Sequence, residues 1–126
     1  MVSAYCPNKS LSSEGSVYRQ HLRYFGNSIP NADPRSQFVS ELVEQLAKWI
    51  TEGDHIVLGV DANDDIRDCL LTSELAKIGM VGAISGHRDS SSIPATHNSN
   101  KQSEPVDEIF VTGGLVRERS GFLEFD

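Results

Sequence analysis

An α/β fold, a mixed sheet flanked by helices, is predicted for this 126-residue sequence by three observations. His55-Ile56-Val57-Leu58-Gly59-Val60 is a nearly continuous apolar run and reads as a central strand covered on both faces. An amphipathic stripe of Phe38, Leu42, Leu46, Trp49 and Ile50 precedes it, and the alternating segment Val106 to Thr112 follows it. Segments of helical and strand period in alternation are the pattern of an α/β domain.

The elements follow from local chemistry. Val2-Ser3-Ala4-Tyr5-Cys6 is short and β-tolerant, and Pro7 stops it, so it reads as a strand feeding a loop from Pro7 to Ser16. Val17, Tyr18, Leu22 and Phe25 recur at helical spacing, and Gly26-Asn27 ends that helix. Asp33-Pro34 supplies an N-cap and a proline at the first helical position for the striped helix, which Gly53 closes. A further helix spans Cys69 to Ile78, with Gly79 as its stop, and Met80 to Ile84 reads as a short strand. Ser85 to Pro105 is polar and reads as a long loop, interrupted only by Ala95-Thr96-His97. After the strand that ends at Thr112, Gly113-Gly114 turns and Leu115-Val116-Arg117 starts another strand.

Length and composition bound the possibilities. With 38% hydrophobic residues the chain builds one core, hence one domain over residues 1–126. The 11 basic and 18 acidic side chains leave a net charge of -7, which excludes a simple cationic nucleic-acid coat. A local patch from Arg19, Arg23 and Arg35 is the basic surface that the sequence offers to a polyanion. No apolar run approaches the length of a membrane span and no signal pattern opens the chain, so an intracellular protein of the cytoplasm or nucleus is expected. Cys6 and Cys69, without a Cys-x-x-Cys pair, fit reduced thiols.

Three segments place polar or acidic residues at or in strands, where a sheet holds them rigidly. The first is Tyr5-Cys6-Pro7-Asn8, in which the proline fixes the turn that aims Asn8. The second is Asp61-Ala62-Asn63-Asp64-Asp65, closing the central strand. Its mutual repulsion calls for a counter-ion, and carboxylates at a strand's end suit a hard cation such as Mg²⁺. An Asp/Asn-rich turn with a helix cap explains the same residues equally well. The third is Thr96-His97 followed by Val106-Asp107-Glu108-Ile109-Phe110. Asp107 and Glu108 point to opposite faces of that strand, and a carboxylate on its covered face needs a partner, often a histidine. Taken singly, Tyr5 reads as a core or rim tyrosine, His97 as an exposed loop histidine and Glu108 as part of a solvated face.

In this order, the three segments resemble the endonuclease/exonuclease/phosphatase superfamily, Mg²⁺-dependent phosphodiesterases that include deoxyribonuclease-like, abasic-site and retroelement endonucleases. Tyr-x-Pro-Asn, Gly-Asp-x-Asn and Ile/Val-Asp-Tyr-Ile/Phe segments succeed one another in that family. Here they look like Tyr5-Cys6-Pro7-Asn8, Val60-Asp61-Ala62-Asn63 and Val106-Asp107-Glu108-Ile109-Phe110. The resemblance covers nearly the whole chain and implies a partial four-layer α/β sandwich of the deoxyribonuclease I-like type. It implies that Asp61 positions or deprotonates the attacking water and carries part of a Mg²⁺ site, and that Asn63 donates to the phosphorane. Tyr5 and Asn8 would contact the phosphate, Asp107 would orient an imidazole, and Thr96 and His97 would lie on the substrate side. The substrate would be a phosphoester, DNA or RNA among the candidates.

The sequence departs from that pattern. No Ser-Asp-His occurs, and the family's earlier Asn and metal-binding Glu have no counterpart before Tyr5. The expectation is therefore the later part of such a domain, a hydrolase inactive or very weak as this chain alone, with exposed sheet edges that invite self-association or the missing half. Val60 between Gly59 and Asp61, and Glu108 in place of the usual aromatic, are smaller departures. A non-catalytic interaction module built on the same fold is the competing expectation. A calcium loop through Asp61, Asn63 and Asp65 lacks the glycine and glutamate that such a loop requires.

Overall fold

The computed structural model describes residues 1–10, 14–29, 31–99, 102–116 and 118–121. β1 (Val2–Tyr5), α1 (Val17–Gly26), α2 (Pro34–Thr51), β2 (Val57–Asp61), α3 (Leu70–Lys77) and β3 (Met80–Gly82) succeed one another. The strands β4 (His97–Ser99), β5 (Gln102–Glu104) and β6 (Asp107–Thr112) follow. Four strands form a mixed sheet in the order β1-β2-β6-β3, with β1 parallel to β2 and β6 antiparallel to β2 and β3. The fold is α/β, as the alternating periodicities predict.

Capping chemistry sets the helix starts. The Ser16 hydroxyl accepts from the Arg19 amide at 3.3 Å and opens α1. The Asp33 carboxylate accepts from the Ser36 amide at 3.0 Å and its hydroxyl at 2.9 Å and opens α2, with Pro34 in the first turn. Tyr18 of α1 donates its hydroxyl to the other Asp33 oxygen at 2.9 Å, so one carboxylate caps α2 and ties α1 to it. Gly53 and Gly79, with φ of 96° and 78°, end α2 and α3 in the left-handed region that favours glycine.

Burial pushes the Asp33 carboxyl upward. Hydrogen bonds from Ser36 and Tyr18 and the charge of Lys9 more than reverse this, leaving it below the usual carboxylate range. A depressed folded value contributes stability that is present above the unfolded value of about 3.9 and is lost as pH falls through the folded one. Thermal unfolding from pH 6 to pH 2 is therefore expected to show a midpoint that drops below about pH 4. The drop should be smaller in Asp33→Asn, and equal drops in both proteins would remove Asp33 as a cause.

The core lies on one side of the sheet. Leu58 and Val60 of β2, Phe110 of β6 and Met80 of β3 pack with Val39 and Leu46 of α2 and Leu71 and Leu75 of α3. Phe38, Leu42, Trp49 and Ile50 of the predicted stripe are half-buried against this core, and Leu46 is wholly buried. The expectation that β2 is covered on both faces is corrected: Leu58 and Val60 are buried, while Val57, Gly59 and Asp61 are half-buried. The apolar run concealed this, because Val57 and Gly59 put small or partly covered surface on the open side. Ser3, Tyr5, Val81 and Ile109 are exposed there.

Two further expectations are corrected. The segment expected as one long loop contains 3-10 turns at Ser85–His87 and Ser90–Ser92 and the hairpin of β4 and β5, with His97 opposite Glu104. This hairpin is built from polar residues, so no apolar alternation announced it. After the turn at Gly113-Gly114, Leu115 donates its amide to Thr112 at 3.1 Å, and neither Leu115 nor the 91% exposed Val116 is in a strand. Arg117 lies outside the described residues. β1 and β3 are the edges of the sheet. Among the described residues, no helix is long and apolar enough to cross a membrane.

Candidate functional site

The sheet register brings three of the singled-out residues into one row. Tyr5 of β1 lies beside Asp61 of β2, and Asp61 lies opposite Asp107 of β6. Residues paired across neighbouring strands share a face. This face is the open one, and all three residues line a cavity of about 620 Å³ there, together with Ser3, Ile84 and Ile109. The Ala62 amide bonds the Val106 carbonyl at 2.8 Å, so the intervening Asp61 and Asp107 form a non-hydrogen-bonded pair. Such pairs bring their Cα atoms to about 4.5 Å, the closer of the two antiparallel spacings. Two half-buried carboxylates thus stand side by side, and among the described residues no cation pairs with either. Tyr5, 52% exposed, flanks them with its ring at the rim.

Asn63 is joined to the row through its own backbone. Its φ of 47° places it in the left-handed region, which asparagine tolerates better than most residues. Its amide donates to Asp61 Oδ1 at 3.0 Å, and its side-chain Nδ2 donates to the Cys6 carbonyl at 2.9 Å. The loop after β2 is thereby stitched to the end of β1. An Asp/Asn turn is present as the second reading of this cluster predicts, and it leaves one Asp61 oxygen and one Asn63 amide hydrogen without a partner among these bonds. The counter-ions of the cluster are arginines. Arg35 pairs with Asp64 at 3.0 Å, and Arg67 pairs with Asp65, a pairing that holds the Asp65 carboxyl below the usual range.

The remaining candidates separate. Thr96 Oγ1 accepts from the amides of Val106 at 2.9 Å and Asp107 at 3.1 Å, so it clasps the start of β6 beneath Asp107. Asn8 and His97 are exposed, and the cavity over the row is lined without them. Glu108, expected on a solvated face, is 4% exposed on the helix side. Its carboxylate accepts from the amides of Ile84 at 3.3 Å, Ser85 at 2.9 Å and Ile109 at 2.8 Å. That correction has a local cause: the turn after β3 aims its backbone donors at β6, a contact that no periodicity reveals.

Arg35 was legible only as one cation of a surface patch. Its side chain is 17% exposed and its guanidinium bonds loop carbonyls, so the patch of Arg19, Arg23 and Arg35 is not a continuous free surface. A second cavity of about 390 Å³ lies beside it, lined by Cys6, Lys9, Asp33, Arg35, Asp64 and Cys69 among others. Both cysteines are free and buried there. Burial pushes the Cys6 thiol up to about 11, partly opposed by Arg35, which disfavours its thiolate at neutral pH. Among the described residues, no three His, Cys, Asp or Glu side chains converge as a metal-holding group. Compared with known proteins, the chain matches no family model, no curated protein and no solved structure.

Proposed function

We propose that the Tyr5, Asp61 and Asp107 row is part of a divalent-cation-assisted phosphodiesterase site of the endonuclease/exonuclease/phosphatase kind. The observation that carries this reading is the row itself: three segments remote in the sequence, each resembling one family motif, lie on adjacent strands over a single cavity. A spacing coincidence in sequence has no reason to become a spatial cluster. The finer architecture proposed is a partial four-layer sandwich, in which further sheet covers the open face that Val81 and Ile109 now expose.

The donor chemistry fits Mg²⁺. Asp61 and Asp107 offer hard oxygens, repel one another across the ladder and gain from a cation between or beside them. When bound, the ion would polarise a phosphoryl oxygen and offset developing charge. The chain's own residues do the rest. Asp61, steered by the Asn63 amide at Oδ1, presents its other oxygen to an attacking water. Asn63, anchored to Cys6, keeps an amide hydrogen for a phosphoryl oxygen, and Tyr5 offers its hydroxyl at the rim. Thr96 holds the backbone of Asp107 in register. No Ser-Asp-His is present in the 126 residues to supply the imidazole that Asp107 would orient, and His97 sits exposed in the hairpin.

This chain alone is therefore expected to bind Mn²⁺ or Mg²⁺ weakly and to turn over little. Isothermal titration with each metal, alongside a Mg²⁺-dependent cleavage assay on plasmid and abasic-site DNA, tests both parts. Metal binding should weaken at least about tenfold in Asp61→Ala. Turnover that disappears in Asp61→Ala would refute the inactivity, and identical metal isotherms for the two proteins would refute the site. A second reading, a binding module without catalysis, is favoured by the open face and the unpaired edges β1 and β3. A monodisperse, concentration-dependent dimer with no metal response would select it.

A further inference from the structure

We propose that Arg35 is the positioning residue of this site: its guanidinium holds the Asp61–Asp64 segment in the one conformation that turns Asn63 toward β1 and Asp61 toward the row. Four acceptors converge on it. Nη1 donates to the Asn63 carbonyl at 2.9 Å and, at 3.5 Å, to that of Pro7. Nη2 donates to the Ala62 carbonyl at 3.1 Å and to Asp64 Oδ2 at 3.0 Å. These acceptors come from two different loops, one directly after Tyr5 at the end of β1 and one after β2 that carries Asn63.

The geometry needs arginine at this place. Asp33 caps α2 and Pro34 fixes the first turn, so the Arg35 backbone is anchored before its side chain reaches out. Successive carbonyls, Ala62 and Asn63, face one guanidinium, which requires the chain to bend sharply between them. The left-handed φ of 47° at Asn63 is that bend. The same bend sends the Asn63 amide to Asp61 and its side chain to Cys6. A planar fork satisfies several acceptors held at fixed angles, whereas an ammonium group of equal charge is a point donor on a flexible stem. With its side chain 17% exposed and both terminal nitrogens bonded to the protein, Arg35 acts through Asp61 and Asn63 rather than as a phosphate ligand of its own.

The link to chemistry rests on the reading of Asp61 and Asn63 given above, while the conformational claim stands without it. The test compares the full chain with Arg35→Lys, Arg35→Gln and Asp64→Asn. Nuclear magnetic resonance follows exchange protection of the Asn63 side-chain amide, and titration with Mn²⁺ alone follows the row. Both Arg35 variants should lose that protection and bind Mn²⁺ at least about tenfold more weakly, as second-layer partners of metal ligands do. Asp64→Asn, which keeps the carbonyl bonds, should match the parent in both readouts. If the Arg35 variants unfold at lower temperature yet keep the protection and the Mn²⁺ affinity below their midpoints, the positioning role is overturned. It is also overturned if Arg35→Lys behaves as the parent does. If the parent binds no Mn²⁺, the metal reading fails, and the loss or retention of Asn63 protection still decides the role of Arg35.

Discussion

Phe110→Ala is expected to lower the unfolding free energy by about 3–5 kcal/mol, the range for emptying a buried aromatic site. The side chain is 1% exposed and sits on β6, a strand bonded on both sides, between Leu58 of β2 and Gly82 of β3. It belongs to the same core cluster as Ile66 and Met80, so its removal leaves a void among buried side chains. Against a total stability of about 5–15 kcal/mol for a domain, this is a large share. The matched control is Ile109→Ala on the same strand. Ile109 is 46% exposed on the open face and should cost about 0.5 kcal/mol or less. Urea unfolding of the two variants reads the difference. Equal costs would show that Ile109 is covered in solution and that the sheet is not one-sided.

Glu108→Ala carries the second large effect, for a different reason. Its carboxylate is the acceptor for three backbone amides, those of Ile84, Ser85 and Ile109, at a site where only 4% of the residue meets water. A buried donor left without a partner costs about 1–3 kcal/mol, and some of these amides are only partly buried, so alanine should cost about 2–4 kcal/mol in all. Glu108→Gln keeps one acceptor oxygen but turns an amide group toward a backbone N–H, which places it between alanine and the parent at about 1–2 kcal/mol. Thermal midpoints give the ranking, and amide exchange at Ile84 and Ser85 gives the location. If both variants melt with the parent while those amides stay protected, another acceptor serves the turn.

The elements were legible where the chain announces itself chemically. Asp33-Pro34 marked the start of α2, Gly53 and Gly79 marked the ends of α2 and α3, and the stripe from Phe38 to Ile50 marked its packed face. These are local signals, carried by capping, by φ preference and by helical period. The one-sidedness of the sheet was not legible, because Val57 and Gly59 are apolar or small whichever way they face. The polar hairpin of β4 and β5 left no periodic trace.

At the site, Asp61, Asn63, Tyr5 and Asp107 could be named in advance because strand ends concentrate polar groups. The meeting of Tyr5, Asp61 and Asp107 in one row depends on a register that no single segment encodes, and Asn63 joins it only through its bonds to Asp61 and Cys6. Arg35 and Glu108 act on backbone groups, which carry no sequence identity, so neither partner could be found by reading side chains. Asn8 and His97 illustrate the converse: motif position alone did not bring them to the cavity.

The strand order carries a kinetic consequence. Val2 meets Leu58, Leu58 meets Phe110 and Phe110 meets Gly82, so every rung of the four-stranded sheet joins residues far apart along the chain. Each ladder must close a long loop before it gains anything, and the entropy of that closure falls on the transition state. The helices and the small polar hairpin are the parts able to form locally. The proposed site straddles β1, β2 and β6, so it cannot form until these distant segments have come together.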